Sequence, residues 1–202
     1  MDSADNSAPD RRYLAPTVDQ ALKILVVGSF GVGKTTLVGS VSEIDPLRTE
    51  ETITQASTGV DDLSGLSGKT ATTVAMDFGR ITLNSRMVLY LFGTPGQRRF
   101  WDLWEGLVIG SIGLLVVIDT RRIEDSFEIL DQLDVRNLPF AVAINQFPDS
   151  VRYEEQDLRE ALDLLPDTPL VQIDARNHHS SVQALITLVE YAARLKAQEK
   201  VA

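Results

Sequence analysis

The chain has 202 residues, 44% of them hydrophobic and 24% charged, which suits one globular domain with a sizeable core. A formal charge of −10 and a pI near 4.6 argue against nucleic acid or an anionic membrane surface as a partner. With no cysteine, disulfides, thiolate catalysis, thiolate zinc sites and lipidation through sulfur are excluded.

Residues 1 to about 20 mix Asp, Ser, Asn and Pro with few apolar side chains, as a disordered tail does, although Tyr13 and Leu14 are able to dock locally. Met1-Asp2 does not fit N-myristoylation, and the acidic start lacks the basic and apolar regions of a signal peptide. No apolar run approaches membrane-spanning length, so a cytoplasmic protein is expected.

Leu22 to Val27 is a short β-branched apolar run, the pattern of a strand buried on both faces of a parallel sheet. It leads into GSFGVGKT, residues 28–35, which fits the G-x-x-x-x-G-K-[ST] phosphate-binding loop. Gly28, Gly31 and Gly33 remove bulk where the backbone must wrap a phosphate chain with its N–H groups. Lys34 supplies a charge to the β- and γ-phosphates, and Thr35 a hydroxyl to Mg²⁺. Val32 and Thr36 are counted with the same loop, and a helix from Thr36 to Glu43 turns its positive end toward the anion. This stretch predicts a nucleoside triphosphate site.

Asp45 to Thr72 follows as a long polar stretch without periodicity, the place of a nucleotide-sensing segment. Val74 to Ile81 alternates as a half-exposed strand, Asn84-Ser85 turns, and Met87 to Phe92 returns as a buried strand, so the pair predicts an antiparallel hairpin. Gly93 to Gln97 breaks it, and Phe100 to Val108 reads as helical. Strands at Ile112 to Ile118, Phe140 to Ile144 and Leu170 to Ile173 then alternate with helices at Ser126 to Val135, Glu154 to Leu165 and Ser180 to about Gln198. The alternation predicts an α/β fold of the P-loop NTPase type. It would have a six-stranded, mostly parallel sheet with one antiparallel strand and about five helices on both faces. Ligands in such folds sit beyond the carboxyl ends of the strands, which here are the P-loop, Gly93 to Gln97, Asp119, Asn145 and Asp174-Ala175.

From about Lys23 to Leu195 the chain resembles the small Ras-like GTPases, motif by motif and in their order: GSFGVGKT, then TVAMDF at 73–78, GTPGQRRF at 93–100, AINQF at 143–147 and DAR at 174–176. The Gly of GTPGQ, the INQF form and the long first switch narrow the resemblance. They are similar to the actinobacterial conservon GTPases, relatives of the polarity GTPase of gliding myxobacteria. The resemblance implies a GTPase domain over 21–198, with an extended switch I at 45–73 and a switch II at 93–108. It implies that Thr73 closes onto Mg²⁺ and the γ-phosphate, that Gly96 donates its N–H to that phosphate and that Gln97 orients the attacking water. It implies that Asn145 and Gln146 flank the base, and that Asp174, Ala175 and Arg176 form a second base loop whose Ala175 N–H meets the guanine carbonyl. Mg²⁺ and GTP or GDP are the implied ligands. A roadblock-type regulatory protein and a membrane sensor-kinase complex are the implied partners, with recruitment to the membrane through them.

Four positions depart from the family. Gly93 stands where most members carry an Asp near the metal, Pro148 where they carry the guanine-selecting Asp, and Phe30 where the P-loop is usually small. Thr73 lies 38 residues after Thr35, a longer separation than is usual. Asp149, one residue late, either reaches the base or starts a turn with Pro148. Trp101 and Trp104 share a helical face, for packing or for a partner. His178 and His179 read as a solvated loop, Arg98, Arg99, Arg121 and Arg122 as surface charges, and Arg48 or Arg98 as a possible arginine finger in cis. The sequence therefore predicts a slow GTPase switch. The alternatives are a nucleotide-dependent interaction module with negligible turnover, or a P-loop ATPase.

Overall fold

The computed structural model describes residues 14–45, 47–53, 72–96, 106–136 and 138–199. Seven strands form one sheet: β1 (Gln20–Val27), β2 (Leu47–Ile53), β3 (Thr72–Asn84), β4 (Met87–Gly93), β5 (Gly113–Ile118), β6 (Phe140–Asn145) and β7 (Leu170–Ile173). Their order across the sheet is β2-β3-β4-β1-β5-β6-β7. Four α-helices accompany them among the described residues: α1 (Lys34–Val41), α2 (Phe127–Arg136), α3 (Glu155–Ala161) and α4 (His178–Glu199). A 3₁₀ helix, Thr120–Ser126, precedes α2, and residues 106–108 are helical.

The central strands are apolar throughout because both of their faces are covered. Successive residues of β1, β5 and β6 alternate between two cores. Ile24, Val26, Leu115, Val117, Ala141 and Ala143 pack with α1 and α4 through Leu37, Val38, Leu185 and Leu188. Leu25, Val27, Leu114, Val116, Val142 and Ile144 pack on the other face with Ile129, Leu130 and Leu133 of α2 and Leu158 of α3. The small Ala141 and Ala143 leave room for α4 over the strand that they belong to.

β4, β1, β5, β6 and β7 are mutually parallel, and β3 is the one strand that runs against its neighbours. β2 is the seventh strand, where six were expected. It lies inside the stretch expected to be a loop, and its backbone pairs antiparallel with β3 from Leu47↔Phe78 to Ile53↔Thr72. LRTEETI carries no apolar period because an edge strand needs backbone pairing on one side, not a hydrophobic face on both. β3 meets β4 only from Asp77 onward, so residues 72–76 pair with β2 alone and project past the carboxyl edge of the sheet as a two-stranded ribbon.

β3 is fastened to the exit of α1 by Glu43. Its carboxylate accepts from Arg80 Nε and Thr82 Oγ1, each at 2.7 Å, and from the Thr82 N–H at 3.0 Å. At the opposite end, residues expected in the N-terminal tail are engaged. Thr17 Oγ1 donates to the Ser85 carbonyl at 2.5 Å, and Asp19 pairs with Arg86. Among the described residues no helix is long and apolar enough to cross a membrane.

Leu115 is fully buried between β1 and β6. Leu115→Ala is expected to lower stability by about 2–5 kcal/mol, read from urea denaturation midpoints at constant slope. A loss under about 1 kcal/mol would contradict this placement of the core.

Candidate functional site

β1 delivers the chain at Val27 to a loop whose three glycines, Gly28, Gly31 and Gly33, all have positive φ. Gly33 shows why a side chain is excluded: its φ is 105°, and a Cβ there would lie 2.5 Å from Asn145 Nδ2. α1 begins at the next residue, and no side chain caps its first turn, so the positive end of the helix opens on the hollow of the loop. Val32 is buried beneath the loop, while Thr35 and Thr36 are exposed at its mouth.

Lys34 is 8% exposed, and its ammonium donates to the carbonyls of Gly28 at 2.8 Å and Ser29 at 2.7 Å. Burial lowers its pKa to about 8, partly opposed by the negative charge of Asp77. The cation thus rests against the loop's own backbone, from which a phosphate oxygen would draw it.

Thr35 Oγ1 donates to Asp77 Oδ2 at 2.5 Å. Asp77 lies directly across from Gly93 in the β3–β4 register, and a Cβ on Gly93 would come within 3.2 Å of that same oxygen. The carboxylate expected on β4 is therefore supplied by the neighbouring strand, and Gly93 leaves the space for it. Asp77 escaped the sequence reading because TVAMDF read only as an alternating strand. Its place opposite Gly93 depends on a register shift between Thr82 and Asn84, which the Asn84-Ser85 turn alone does not reveal. A hydroxyl and a carboxylate at the mouth of a P-loop are the hard oxygen donors that suit Mg²⁺, an ion that takes few protein ligands beside phosphate and water. Among the described residues no group of three or more His or acidic side chains offers a different metal site.

Two further segments bear on the phosphate end. Thr94 is buried, with its N–H on the Val26 carbonyl at 2.9 Å, which carries the β1–β4 pairing one residue past β4. Gly96 is pressed on that loop so closely that a Cβ would meet Phe30 N and Ser29 C at 2.6 Å. Thr73 is a paired residue of β3, four positions up-strand from Asp77, or roughly 13 Å at strand spacing. This arrangement does not bring its backbone to Thr35. Gln97, Arg98, Arg99, Trp101 and Trp104 lie outside the described residues, as does the side chain of Arg48.

At the other end, Asn145 is 4% exposed and bonds within the protein through both its nitrogen and its oxygen. Nδ2 donates to the Val32 carbonyl at 2.9 Å, and Oδ1 accepts the Ala175 N–H at 3.0 Å. The donor expected to face a base carbonyl is thus already engaged. Asp174 and Arg176 pair with each other through two side-chain bonds of 2.9 Å. The Gln146 N–H is held by the Ile173 carbonyl at 2.8 Å. Gln146, Phe147, Pro148, Asp174 and Arg176 line a cavity of about 440 Å³ between the loops after β6 and β7.

Arg121, expected as a solvated charge, is instead a hub. It makes side-chain bonds of 2.7–3.2 Å to buried Asp119, one of 2.6 Å to Asp149, and lies 3.9 Å above the Phe147 ring. Burial works against charge on Asp119, but the bonds from Arg121 outweigh it and hold the carboxyl below its ordinary range. Asp149 is thus paired with Arg121, on a side chain that is itself largely exposed. Arg122 is not a free surface charge either, since its Nη2 donates to the Phe30 carbonyl of the P-loop at 2.9 Å. His178 and His179 form the first turn of α4 instead of a loop, and His178 Nδ1 lies 2.8 Å from the Ser40 carbonyl.

Compared with known proteins, residues 26–195 match the profile of a family described as conserved hypothetical ATP binding protein. An uncharacterized protein of Methanocaldococcus jannaschii is 30% identical over 127 residues, 62% of this chain and 70% of that protein. The Ras-related protein RABC2a of Arabidopsis thaliana is 30% identical over 116 residues, 56% of this chain and 45% of the plant protein, so the match spans under half of that relative. Among solved structures, the G domain of the T. maritima FeoB iron transporter is similar, with a TM-score of 0.59 at 17% identity. That match covers 86% of this chain and 99% of the domain, and at this identity it speaks to the fold.

The position of Lys34 sets a pH dependence. With a pKa of about 8 beside the loop carbonyls it sheds its proton as pH rises past 8, whereas phosphate oxygens around it would keep the proton on. Binding of a triphosphate should therefore take up a proton above pH 8, and affinity should fall by up to about tenfold per pH unit there. Calorimetry in buffers of different ionisation enthalpy reads this directly. Equal affinity and no proton uptake between about pH 7.5 and 9.5 would contradict the role of Lys34.

Proposed function

The chain belongs to the family described as conserved hypothetical ATP-binding proteins, and we propose that it is a GTP-binding molecular switch that hydrolyses its nucleotide slowly. The observation that carries this reading is the cradle itself: three positive-φ glycines, buried Lys34 on the loop carbonyls, and Thr35 bonded to Asp77 at its mouth. Kinship to a Ras-related protein and the likeness to a G domain support it.

In this reading the Lys34 ammonium leaves the Gly28 and Ser29 carbonyls for the β- and γ-phosphates, and the N–H groups of the loop wrap the chain. Thr35 and Asp77 would hold Mg²⁺, Thr35 directly and Asp77 directly or through water. The bound ion would withdraw charge from the phosphate oxygens. Gly96, already against the P-loop, offers its N–H to the γ-phosphate, and Gln97 orients the water. Thr73 reaches the phosphate only if the β2–β3 ribbon shifts, which makes residues 45–73 the segment that reports the γ-phosphate. Slow turnover follows where no partner protein adds a further cation to the transition state. We extend the conservon-type resemblance to the same proposal: a roadblock-type protein reads the ribbon and the switch after β4.

A second reading takes ATP as the nucleotide. It is favoured by Pro148 in the carboxylate position, by the hold of Arg121 on Asp149 and by the family's description. Loss of one charged partner to the base typically removes one to two decades of selectivity, so a narrow preference for GTP is expected. Competition of GTP and ATP against a fluorescent nucleotide, with Mg²⁺, separates the readings. GTP should bind tighter by a modest factor, and Lys34→Ala should weaken both by about tenfold or more. A clear ATP preference would overturn the guanine assignment, and a folded wild-type chain that binds neither would overturn the triphosphate site.

A further inference from the structure

Arg121 and Arg122 are adjacent in sequence but diverge in space. The 3₁₀ helix Thr120–Ser126 is interrupted at Arg122, where φ is −145° and ψ is 52°, and the interruption sends the two guanidinium groups in different directions. Arg121 turns inward to buried Asp119, whose carboxylate also accepts the Arg121 N–H at 3.0 Å and so fixes the start of the helix. Arg122 turns toward the nucleotide loop. Its Nη2 donates to the Phe30 carbonyl at 2.9 Å and lies 3.4 Å from where a Cβ on Gly31 would stand.

That contact uses little of what a guanidinium offers. The group has five N–H donors, and among the described residues it meets the Phe30 carbonyl and, at a long 3.7 Å, the Asp125 carboxylate, both side chains of that ion pair being nearly half exposed. A bond to a neutral carbonyl is also weaker than a paired bond to a phosphate, for which the planar fork of arginine is suited. Lys34 lies buried under the loop and serves the phosphates from inside, whereas Arg122 stands at the rim between Phe30 and Gly31, backed by an anchored helix.

We infer that Arg122 is a second cation for the phosphate chain of the bound nucleotide, supplied by the chain itself, which exchanges the Phe30 carbonyl for phosphate oxygens when a triphosphate enters. This rests on the triphosphate reading of the P-loop and adds to it a catalytic residue. In hydrolysis the water oxygen bonds to the γ-phosphorus while the bond from that phosphorus to the β–γ bridging oxygen breaks. The diphosphate keeps the electron pair, and of the two water protons one stays on the released phosphate and one passes to solvent. Arg122 spreads the negative charge that gathers on the bridging and terminal oxygens, the task an arginine finger performs. Such a residue distinguishes triphosphate from diphosphate; a mere fastening of the loop does not.

The test uses the full chain with Arg122→Ala and Arg122→Lys, and reads the melting midpoint without nucleotide, the affinities for di- and triphosphate with Mg²⁺, and the single-turnover rate. Arg122→Ala should lower the nucleotide-free midpoint by no more than the loss of one exposed bond, weaken triphosphate about tenfold or more beyond any effect on diphosphate, and slow turnover by at least as much. Arg122→Lys should recover part of the affinity and less of the rate, because a point charge lacks the fork. Equal losses for both nucleotides, with a midpoint lowered beyond that, would make Arg122 a fastener of the loop and overturn the inference, as would a variant identical to wild type. A wild-type chain that binds no triphosphate would overturn the P-loop reading together with it, whereas a wild type that binds beside an unaltered variant would remove Arg122 alone.

Discussion

The site depends on one buried amide. Asn145 joins the P-loop to the loop after β7 by giving Nδ2 to the Val32 carbonyl and Oδ1 to the Ala175 N–H, with 4% of the residue exposed. Leaving either partner unmatched in that environment would cost about 1–3 kcal/mol, so the two loops are held in one arrangement. The brace imposes glycine at position 33, since a Cβ would sit on the amide nitrogen. It also limits base recognition, because a purine carbonyl would have to compete with Asn145 for the Ala175 donor.

Two carboxylates that the Ras-like pattern keeps in fixed places are displaced here, with different outcomes. At the mouth of the P-loop Asp77 stands across the β3–β4 ladder from Gly93 and reaches the P-loop threonine, so an acidic oxygen is present there. At the base end Asp149 is taken by Arg121, which is itself held by buried Asp119 and stacked on Phe147. On the proposed reading the first displacement would preserve the chemistry of a phosphate end, and the second would leave a base with one charged partner fewer. That contrast is the physical basis for expecting firm phosphate binding with modest base choice.

The central fold was legible because β1, β5 and β6 are continuous apolar runs and the P-loop is punctuated by glycine. What escaped were features that a linear pattern does not encode. β2 carries almost no apolar signal because its stability comes from pairing with β3 at an edge. Asp77 acquires its role from cross-strand register, and the unlike tasks of Arg121 and Arg122 come from a backbone break inside a short helix. The committed use of the Ala175 N–H could not be read either, since it requires Asn145 to be buried beside it.

In the proposed switch, residues 28–36 close on a phosphate chain and the β2–β3 ribbon responds to its last phosphate. Hydrogen exchange of the full chain, without nucleotide, with Mg-GDP and with a Mg²⁺-bound non-hydrolysable triphosphate, tests it most directly. Exchange over 28–36 should slow with either nucleotide, and 47–53 and 72–77 should gain protection with the triphosphate alone. Unchanged exchange over 28–36 with both nucleotides would contradict it, and equal protection of the ribbon in the two states would leave a nucleotide-binding scaffold in place of a switch.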